Sequence, residues 1–417
     1  MGMILKGPKG TQDVLPKDSY KWKFVENTIL NIASTFHFKE IRIPTFEHTD
    51  LFCRSVGDTS DVVEKEMYTF EDKSSRLITL RPEGTAGTLR SVIEHGLLNG
   101  LLPLKLFYIL SCFRYENLQT GRLREFHQFG AELLGPASPE ADFEVIKMGC
   151  EIFKALGITN FLLEINSIGC SKCSHKYKKQ LMDYMSARKD TICPTCLERL
   201  EKNPMRILDC KDKGCQNVVT TTPIILDSIC DECKEHLEFL KNYLNADNIE
   251  YIVNPKIVRG LDYYVKTVFE FIVELNGSKL TVCGGGRYDN LINELGGPKT
   301  SAVGFAIGLE RIVMILDELS NIKDTNCDLY IAVIDNDGWI KSIPMVNRLR
   351  SQGYIIEIDL MNRSLKSQMK YANKIGAKYS MVIGSNEIET GRAKIKNMST
   401  SEEQEVDMLT FSLMKIN

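Results

Sequence analysis

Along the chain the apolar positions change period several times, and each change marks an element. Trp22, Val25, Ile29, Ile32, Ala33 and Phe36 recur at helical spacing and predict a helix over about 19–35 with one apolar face. Ile41 and Ile43 alternate with polar residues ahead of Pro44, which predicts a strand over 39–44 stopped at an edge or bulge. Two alternating runs within 67–80 flank Glu71-Asp72-Lys73-Ser74 as a hairpin, and residues 80–85 lead into a helical pattern reaching His95. A longer hairpin is predicted between 104–116 and 124–133, followed by a helix over 139–156 and a strand over 161–165. Repeated hairpins argue for an antiparallel sheet rather than a βαβ array.

From Gly169 to about Leu244 the alternation largely disappears, and Cys pairs, Lys and Glu dominate. Strand patterning returns over 267–274 and 279–282, so this stretch reads as a mostly helical module inserted into one domain. Residues 301–316, rich in glycine, read as a helical segment closing that domain. Beyond the polar residues 320–326, strands over 329–334, 354–359 and 379–383 alternate with helices over 340–350 and 365–375, a small α/β domain with a mixed or partly parallel sheet. The expected organisation is a domain over 1–325, interrupted by the module at about 167–244, and a second domain over 326–417. A length of 417 residues, at about 150 per domain, allows two or three domains.

Composition excludes more than it assigns. With 43% hydrophobic and 26% charged residues the chain is ordinary globular material, not a disordered or fibrous one. The 52 basic and 55 acidic residues leave a net charge of -3, so no global field announces a nucleic-acid or polybasic membrane binder, and any nucleic-acid contact must be local. The longest apolar region, 97–110, is broken by Asn99, Gly100, Pro103 and Lys105. Residues 1–20 carry Lys6, Lys9, Asp13, Lys17 and Asp18 with no apolar signal core. A cytoplasmic enzyme that does not engage a membrane is the expectation.

The sequence has no phosphate-binding P-loop, dinucleotide glycine loop, His-Glu-x-x-His pair or Gly-x-Ser-x-Gly elbow. Instead, polar residues sit on strand-like sequence. Arg114-Tyr115-Glu116 ends one predicted strand, and period two puts Arg124, Phe126, Gln128, Gly130 and Glu132 on one face of the next. Such a face offers a ring for a planar base, cations for phosphate and acceptors for an amine; a hairpin laced with ion pairs would read the same way. Of thirteen cysteines, eight lie between Cys170 and Cys233, as Cys170-x-x-Cys173, Cys193-x-x-Cys196, Cys210-x4-Cys215 and Cys230-x-x-Cys233. Four pairs are enough for two tetrahedral zinc sites; bound structural zinc, unmetallated thiols and a redox role all remain open.

Several of these segments resemble a known family. Pro44 after the long helix, Phe113-Arg114-x-Glu116 with Phe126, and Gly304-Phe305-Ala306-Ile307-Gly308-Leu309-Glu310-Arg311 resemble motifs 1, 2 and 3 of class II aminoacyl-tRNA synthetases. Arg81-Pro82-Glu83-Gly84-Thr85, Val258-Arg259-Gly260-Leu261-Asp262-Tyr263-Tyr264 and Gly285-Gly286-Arg287-Tyr288-Asp289 are similar to signatures of the histidyl-tRNA synthetase family. The sequence departs from many relatives at Asn117-Leu118, where they carry Arg-Pro, and at Asn290, where a Gly is common. The class I signatures His-x-Gly-His and Lys-Met-Ser-Lys are absent from the sequence.

The resemblance implies an α+β fold: a six- or seven-stranded antiparallel sheet flanked by helices, a helical Cys-rich insertion, and a C-terminal α/β anticodon-binding domain. It implies ATP as a substrate with Mg2+, L-histidine and tRNA(His) as partners, and a homodimer built through motif 1. By carry-over, Arg114 holds the carboxylate and α-phosphate, Phe126 stacks on adenine, Glu116 meets the adenine amino edge and Arg311 holds the distal phosphates. Arg259 faces the α-phosphate opposite Arg114. Glu83, Thr85 and Gln128 fall at the α-ammonium site, Gly84 between them belongs to the histidine-binding set, Glu132 with Tyr264 recognises the imidazole, and Tyr263 and Tyr288 shape its pocket. The local positive charge of Lys172, Lys176, Lys178 and Lys179 in the insertion reads as a clamp on tRNA, and equally as a solvated helix surface. A second implied reading is a non-catalytic regulatory subunit of ATP phosphoribosyltransferase, which shares the catalytic fold; the retained Arg259–Tyr264 segment and C-terminal domain speak for the ligase.

Overall fold

The computed structural model describes residues 5–57, 62–259, 261, 263–319, 322 and 327–413. The chain divides into two compact units, Met1–Ile322 and Lys323–Asn417. The expected boundary between 325 and 326, like Gly260 and Asp262 of the signature segment, lies outside the described residues.

In the first unit, helix α1 (Pro16–Thr35) begins with proline in its first turn, where an N–H has no intrahelical partner, and buries Val25, Ile29 and Ala33 on one face. Strand β1 (Lys39–Glu40) leads to a small sheet made of β2 (Phe46–His48), β3 (Tyr68–Glu71) and β4 (Leu77–Leu80), with α2 (Thr49–Val56) between β2 and β3. Helix α3 (Thr85–Glu94) follows, then the long antiparallel pair β5 (Leu104–Phe113) and β6 (Glu125–Gly135). Helix α4 (Pro139–Ala155) and β7 (Phe161–Ser167) precede the inserted module, whose helices are α5 (Ser171–Ser186), α6 (Pro194–Lys202), α7 (Lys213–Val219) and α8 (Asp231–Ala246). The chain returns through β8 (Tyr251–Val253), β9 (Val265–Leu275), β10 (Ser278–Arg287), α9 (Leu291–Glu294), β11 (Ser301–Gly308) and α10 (Leu309–Leu319).

The main sheet has eight strands in the order β1-β5-β6-β11-β10-β9-β7-β8. The run from β5 to β7 is antiparallel, while β1 and β8 add short parallel strands at the two edges. The sheet is therefore one strand wider than the expected range and mixed at its edges. Its two faces differ in chemistry because strand residues alternate. Phe107, Phe129, Ala131, Phe269, Phe271, Phe305 and Ile307 point into the main core, shared with buried residues of α1, α4 and α10. The opposite face carries Gln128, Gly130 and Glu132 on β6, aligned with Gly308, Ala306 and Gly304 on β11.

Two expected elements change. The strand foreseen over 39–44 shrinks to β1, because the carbonyls of Ile43 and Pro44 accept hydrogen bonds from the Arg81 guanidinium, at 2.8 and 3.0 Å, in place of strand partners. The segment 301–316 is not one helix: 301–308 is β11, flanked by β6 and β10, and only then does α10 begin. Its alternation of small and large residues let glycine disguise a central strand.

The second unit places β12 (Leu329–Val333), α11 (Asn336–Ser351), β13 (Ile356–Ile358), α12 (Leu365–Lys374), β14 (Tyr379–Ile383), α13 (Ser385–Thr390), β15 (Arg392–Asn397) and β16 (Glu403–Asp407) around a sheet ordered β13-β12-β14-β15-β16. The first three strands are parallel and the last two antiparallel. Among the described residues no helix is long and apolar enough to cross a membrane.

Candidate active site

The polar face of the main sheet opens into a cleft of about 870 Å³. Its floor is kept low by residues without side chains. A Cβ on Gly304 would meet Glu132 Oε2 at 2.0 Å, one on Gly284 would meet the Arg259 guanidinium at 2.2 Å, and one on Gly130 would meet the Tyr108 ring at 2.1 Å. Side chains from neighbouring strands thus lie across the glycines.

At the deep end sits Glu132, 1% exposed. Its Oε1 accepts from Thr85 Oγ1 at 2.7 Å and from the Tyr108 hydroxyl at 3.2 Å, and its Oε2 accepts from the Tyr288 hydroxyl. Burial pushes the Glu132 carboxyl up to about 8, with the hydrogen bonds from Tyr288 and Thr85 opposing and the charge of Glu83 assisting. The rings of Tyr263 and Tyr264 lie 4.5 Å apart and those of Tyr263 and Tyr288 5.5 Å apart, making an aromatic wall beside it.

Glu83 is also buried, and it closes the start of α3: its Oε2 accepts the Thr85 N–H at 2.6 Å and its Oε1 the Ala86 N–H at 2.8 Å. These are the unpaired amides of a helix N-terminus, so the carboxylate supplies a cap that Gly84 cannot. Burial nonetheless raises its pKa, against the pull of those two amides. Gly84 does not line the cleft. A Cβ there would strike the Tyr108 ring at 2.3 Å, so Gly84, expected among the histidine-binding residues, lies as a spacer beneath Tyr108.

Cations ring the wider part. Arg114 Nε donates to the Pro82 carbonyl at 2.8 Å, its guanidinium lies 5.4 Å from the centre of the Phe126 ring, and it stands 3.6 Å from Glu116. Glu116 also lies 3.4 Å from Arg122. Arg311 Nε donates to the Gly121 carbonyl at 3.3 Å and a terminal nitrogen to the Thr281 carbonyl. Burial and the like charge of Arg122 lower the Arg311 pKa, against the opposing charges of Glu116, Glu270 and Glu310. Arg259 is paired with Glu270, and its buried Nε has no partner among the described residues.

The structure brings Glu83, Thr85, Arg114, Glu116, Phe126, Gln128, Glu132, Arg259, Tyr263, Tyr264, Tyr288 and Arg311 to one cleft. Arg124 departs from the face read for it: it precedes β6 and stacks on the Tyr115 ring at 3.6 Å. Arg287, part of a signature segment, is fully buried against Asp142 and Asp289 and supports the fold. Sequence reading missed Tyr108 and Glu270. Both are polar-tipped residues inside apolar strands, which is the signal that could have found them; Glu270 pairs in register with Gly284. It also missed the insertion's share: Thr195, Arg199, Arg206 and Lys211 line the same cleft. Within the insertion, Cys170, Cys173, Cys230 and Cys233 form one cluster of ligand atoms and Cys193, Cys196, Cys210 and Cys215 another, all within 4.8 Å in each.

The profile of the histidyl-tRNA synthetase family matches residues 10–312, and that of an anticodon-binding domain matches residues 343–412. The chain is 50% identical over 408 residues to the histidine–tRNA ligase of Caldicellulosiruptor bescii, with 97% of each chain covered. It is 51% identical over 409 residues to that of Clostridium novyi, again over 97% of each. The crystal structure of apo S. aureus histidyl-tRNA synthetase superposes with a TM-score of 0.82 at 38% identity, covering 97% of this chain and 98% of the other. A Bacillus halodurans structure described as an ATP phosphoribosyltransferase regulatory subunit/histidyl-tRNA synthetase shares the fold, with a TM-score of 0.64 at 20% identity over 92% and 98% of the two chains. With a cleft whose acidic end, aromatic wall and cationic rim come from the segments that resemble the family's motifs, the chain belongs to the histidyl-tRNA synthetase family.

Proposed function

We propose that the chain activates L-histidine with ATP and transfers it to the 3′ end of tRNA(His). The observation that carries this reading is the pairing, in one cleft, of the buried Glu132 cup with a rim of arginines. The histidine carboxylate oxygen attacks the α-phosphorus of ATP, the bond to the β-phosphate oxygen breaks, and pyrophosphate leaves with its electron pair. A terminal ribose hydroxyl of tRNA then attacks the acyl carbon, releasing AMP. No protein nucleophile is needed, so the residues position reactants and stabilise charge.

Glu132 accepts the imidazole N–H, and Tyr264 with Tyr263 and Tyr288 bounds the ring. A phenyl ring of similar size would leave the buried carboxyl without its donor, a penalty of about 1–3 kcal/mol that selects histidine. Glu83, Thr85 and Gln128 supply acceptors toward the α-ammonium group. Arg114 and Arg259 flank the carboxylate and α-phosphate, Arg311 takes the distal phosphates, Phe126 offers its face to adenine and Glu116 its carboxylate to the amino edge. Glu310, on the cleft wall, is the oxygen-donor type that Mg2+ takes alongside phosphates. The cation supplies charge neutralisation on the triphosphate.

The C-terminal unit reads the anticodon, the insertion contacts tRNA through local positive charge, and the protein works in the cytoplasm as a C2 homodimer through the segment around Pro44. Histidine-dependent ATP–pyrophosphate exchange together with charging of tRNA(His) tests the reading. Absence of both, with stable capture of an ATP phosphoribosyltransferase, would establish the regulatory reading in its place. A light-scattering mass equal to one chain at all concentrations would remove the dimer.

A further inference from the structure

The cysteine clusters of the insertion take no part in the chemistry above, yet each brings four sulfurs within 4.8 Å of one another. We propose that they are two separate four-thiolate zinc sites, one at the root of the module and one in the wall of the catalytic cleft.

The root site joins Cys170 and Cys173, at the start of α5, to Cys230 and Cys233, at the start of α8. The wall site joins Cys193 and Cys196, at the start of α6, to Cys210 and to Cys215 in α7. Four metal–sulfur bonds of about 2.3 Å in a tetrahedron place neighbouring sulfurs about 3.8 Å apart. The Cys170 and Cys173 sulfurs are separated by 3.5 Å and those of Cys193 and Cys210 by 3.8 Å. Paired cystines need about 2.05 Å, and all eight cysteines are free.

The surroundings suit thiolates. Cys170, Cys193 and Cys230 each occupy the N-cap of a helix, where the backbone dipole favours negative charge. The two clusters also share a wiring: the Cys230 N–H donates to Cys173 Sγ and the Cys193 N–H to Cys215 Sγ, both at 3.1 Å. In each case an amide of one pair bonds a buried sulfur of the other. At Gly169, with φ +69°, a Cβ would lie 2.4 Å from the Cys173 Cβ, so the chain passes the root site as closely as a backbone can.

The module also has reason to need them. Cys173, Cys196, Cys215 and Cys233 are themselves members of its core, and its helices span only 7 to 16 residues. Small units of this kind are commonly held by a metal or by cross-links rather than by apolar area. An all-sulfur donor set excludes Mg2+ and Ca2+ and selects zinc or iron; of the two, the assignment is zinc.

The two sites have different consequences. The root site ties the helix that leaves the main sheet to the one that returns to it. The wall site sets the position of Cys193, Thr195, Arg199, Arg206, Cys210 and Lys211, which line the cleft. On the catalytic body, Glu64 meets this region by accepting from Lys202 at 2.7 Å. The metal assignment stands on the cysteines alone; only the effect on the cleft rests on the ligase reading.

The experiment uses the full chain purified without chelator or added metal. Elemental analysis is expected to find about two zinc per chain in a colourless protein, with the module's cysteines resistant to alkylation until a chelator is added under denaturing conditions. Cys196→Ser and Cys233→Ser should each lower the content to about one. Exchange with Co2+ should give the intense visible bands of a tetrahedral thiolate site, which decides the matter even where the serine variants fail to fold. Zinc below about 0.2 per chain, with these cysteines alkylated as free thiols or mapped as disulfides, overturns the proposal. Iron with strong visible absorption overturns the choice of metal. Loss of metal from the wall site should weaken ATP–pyrophosphate exchange about tenfold or more; unchanged exchange in a folded, one-zinc Cys196→Ser protein overturns the role given to the cleft wall and leaves the metal count standing.

Discussion

Glu132 and Gly304 face each other across the β6–β11 ladder, so closely that a methyl group on Gly304 would lie 2.0 Å from Glu132 Oε2. The glycine leaves room for the buried carboxyl, and the carboxyl in turn has no second position, because Thr85, Tyr108 and Tyr288 hold it. Gly304→Ala should therefore tilt the carboxyl out of its cup. The expected outcome is a folded protein, destabilised by about 1–3 kcal/mol as for other overpacked sites, whose KM for histidine in pyrophosphate exchange rises more than its KM for ATP. Equal rises in both would place the defect elsewhere.

The same carboxyl makes histidine binding and stability depend on pH. Burial raises Glu132 from the ordinary 4.5 to about 8, so between those values the folded protein holds a proton that the unfolded chain has released. Stability from this group is fully present below 4.5 and declines as pH rises toward 8, by up to about 1.4 kcal/mol for each pH unit crossed. Melting temperature should fall across that window in the ligand-free enzyme, and Glu132→Gln should flatten the fall. A bound imidazole N–H favours the ionised form, so histidine binding at about pH 7 should release about one proton, measurable from calorimetry in buffers of different ionisation heat. Proton release that survives in Glu132→Gln would assign it to another group.

Much of this cleft was legible because a strand's alternation is local. Phe126, Gln128 and Glu132 lie two or four residues apart on β6 and reach the cleft together. What crosses strands was not legible. The cup of Tyr108 and Tyr288 around Glu132, and the Arg259–Glu270 pair, depend on registers between segments far apart in sequence. The strand 301–308 was hidden because its cleft-facing positions are glycine and alanine, which carry no strand propensity and are there to make room. In the insertion, the spacing showed four cysteine pairs but not their nesting, in which the outermost two and the innermost two combine. In the second unit, β15 alternates Ala393 and Ile395 with Arg392, Lys394 and Lys396, a period-two signal masked by the charges around it.

The cleft lining named among the described residues belongs to the first unit, so on the proposed function the first chemical step falls to that unit. A chain ending near residue 327 should retain histidine-dependent pyrophosphate exchange within about tenfold of the full protein while tRNA charging falls by a larger factor, if the lost unit acts, as proposed, on tRNA rather than on the adenylate. Both activities are to be measured beside the mass in solution. Parallel loss of the two in a folded chain of unchanged oligomeric state would argue against a division of labour.

Arg259 offers the sharpest test of the catalytic assignment. Its charge is balanced by Glu270 on β9, burial opposes the charged form, and the pair outweighs burial to raise its pKa, so the guanidinium is a permanent cation. Glu270 thus accepts from one terminal nitrogen, the buried Nε has no partner among the described residues, and the side chain lines the cleft. Negative charge gathers at the α-phosphate as pyrophosphate departs, and a cation already in place stabilises that state more than it does the separated reactants. Arg259→His should fold, bind histidine with modest loss, and form the adenylate slower by on the order of 10²-fold or more. A role limited to ordering the loop before β9 predicts something different: histidine binding, melting temperature and rate should fall together, and Glu270→Gln should reproduce all three. Rapid-quench measurement of adenylate formation, run beside a binding isotherm and a melt for both variants, separates the two accounts, and a near-normal rate in folded Arg259→His would end the catalytic one.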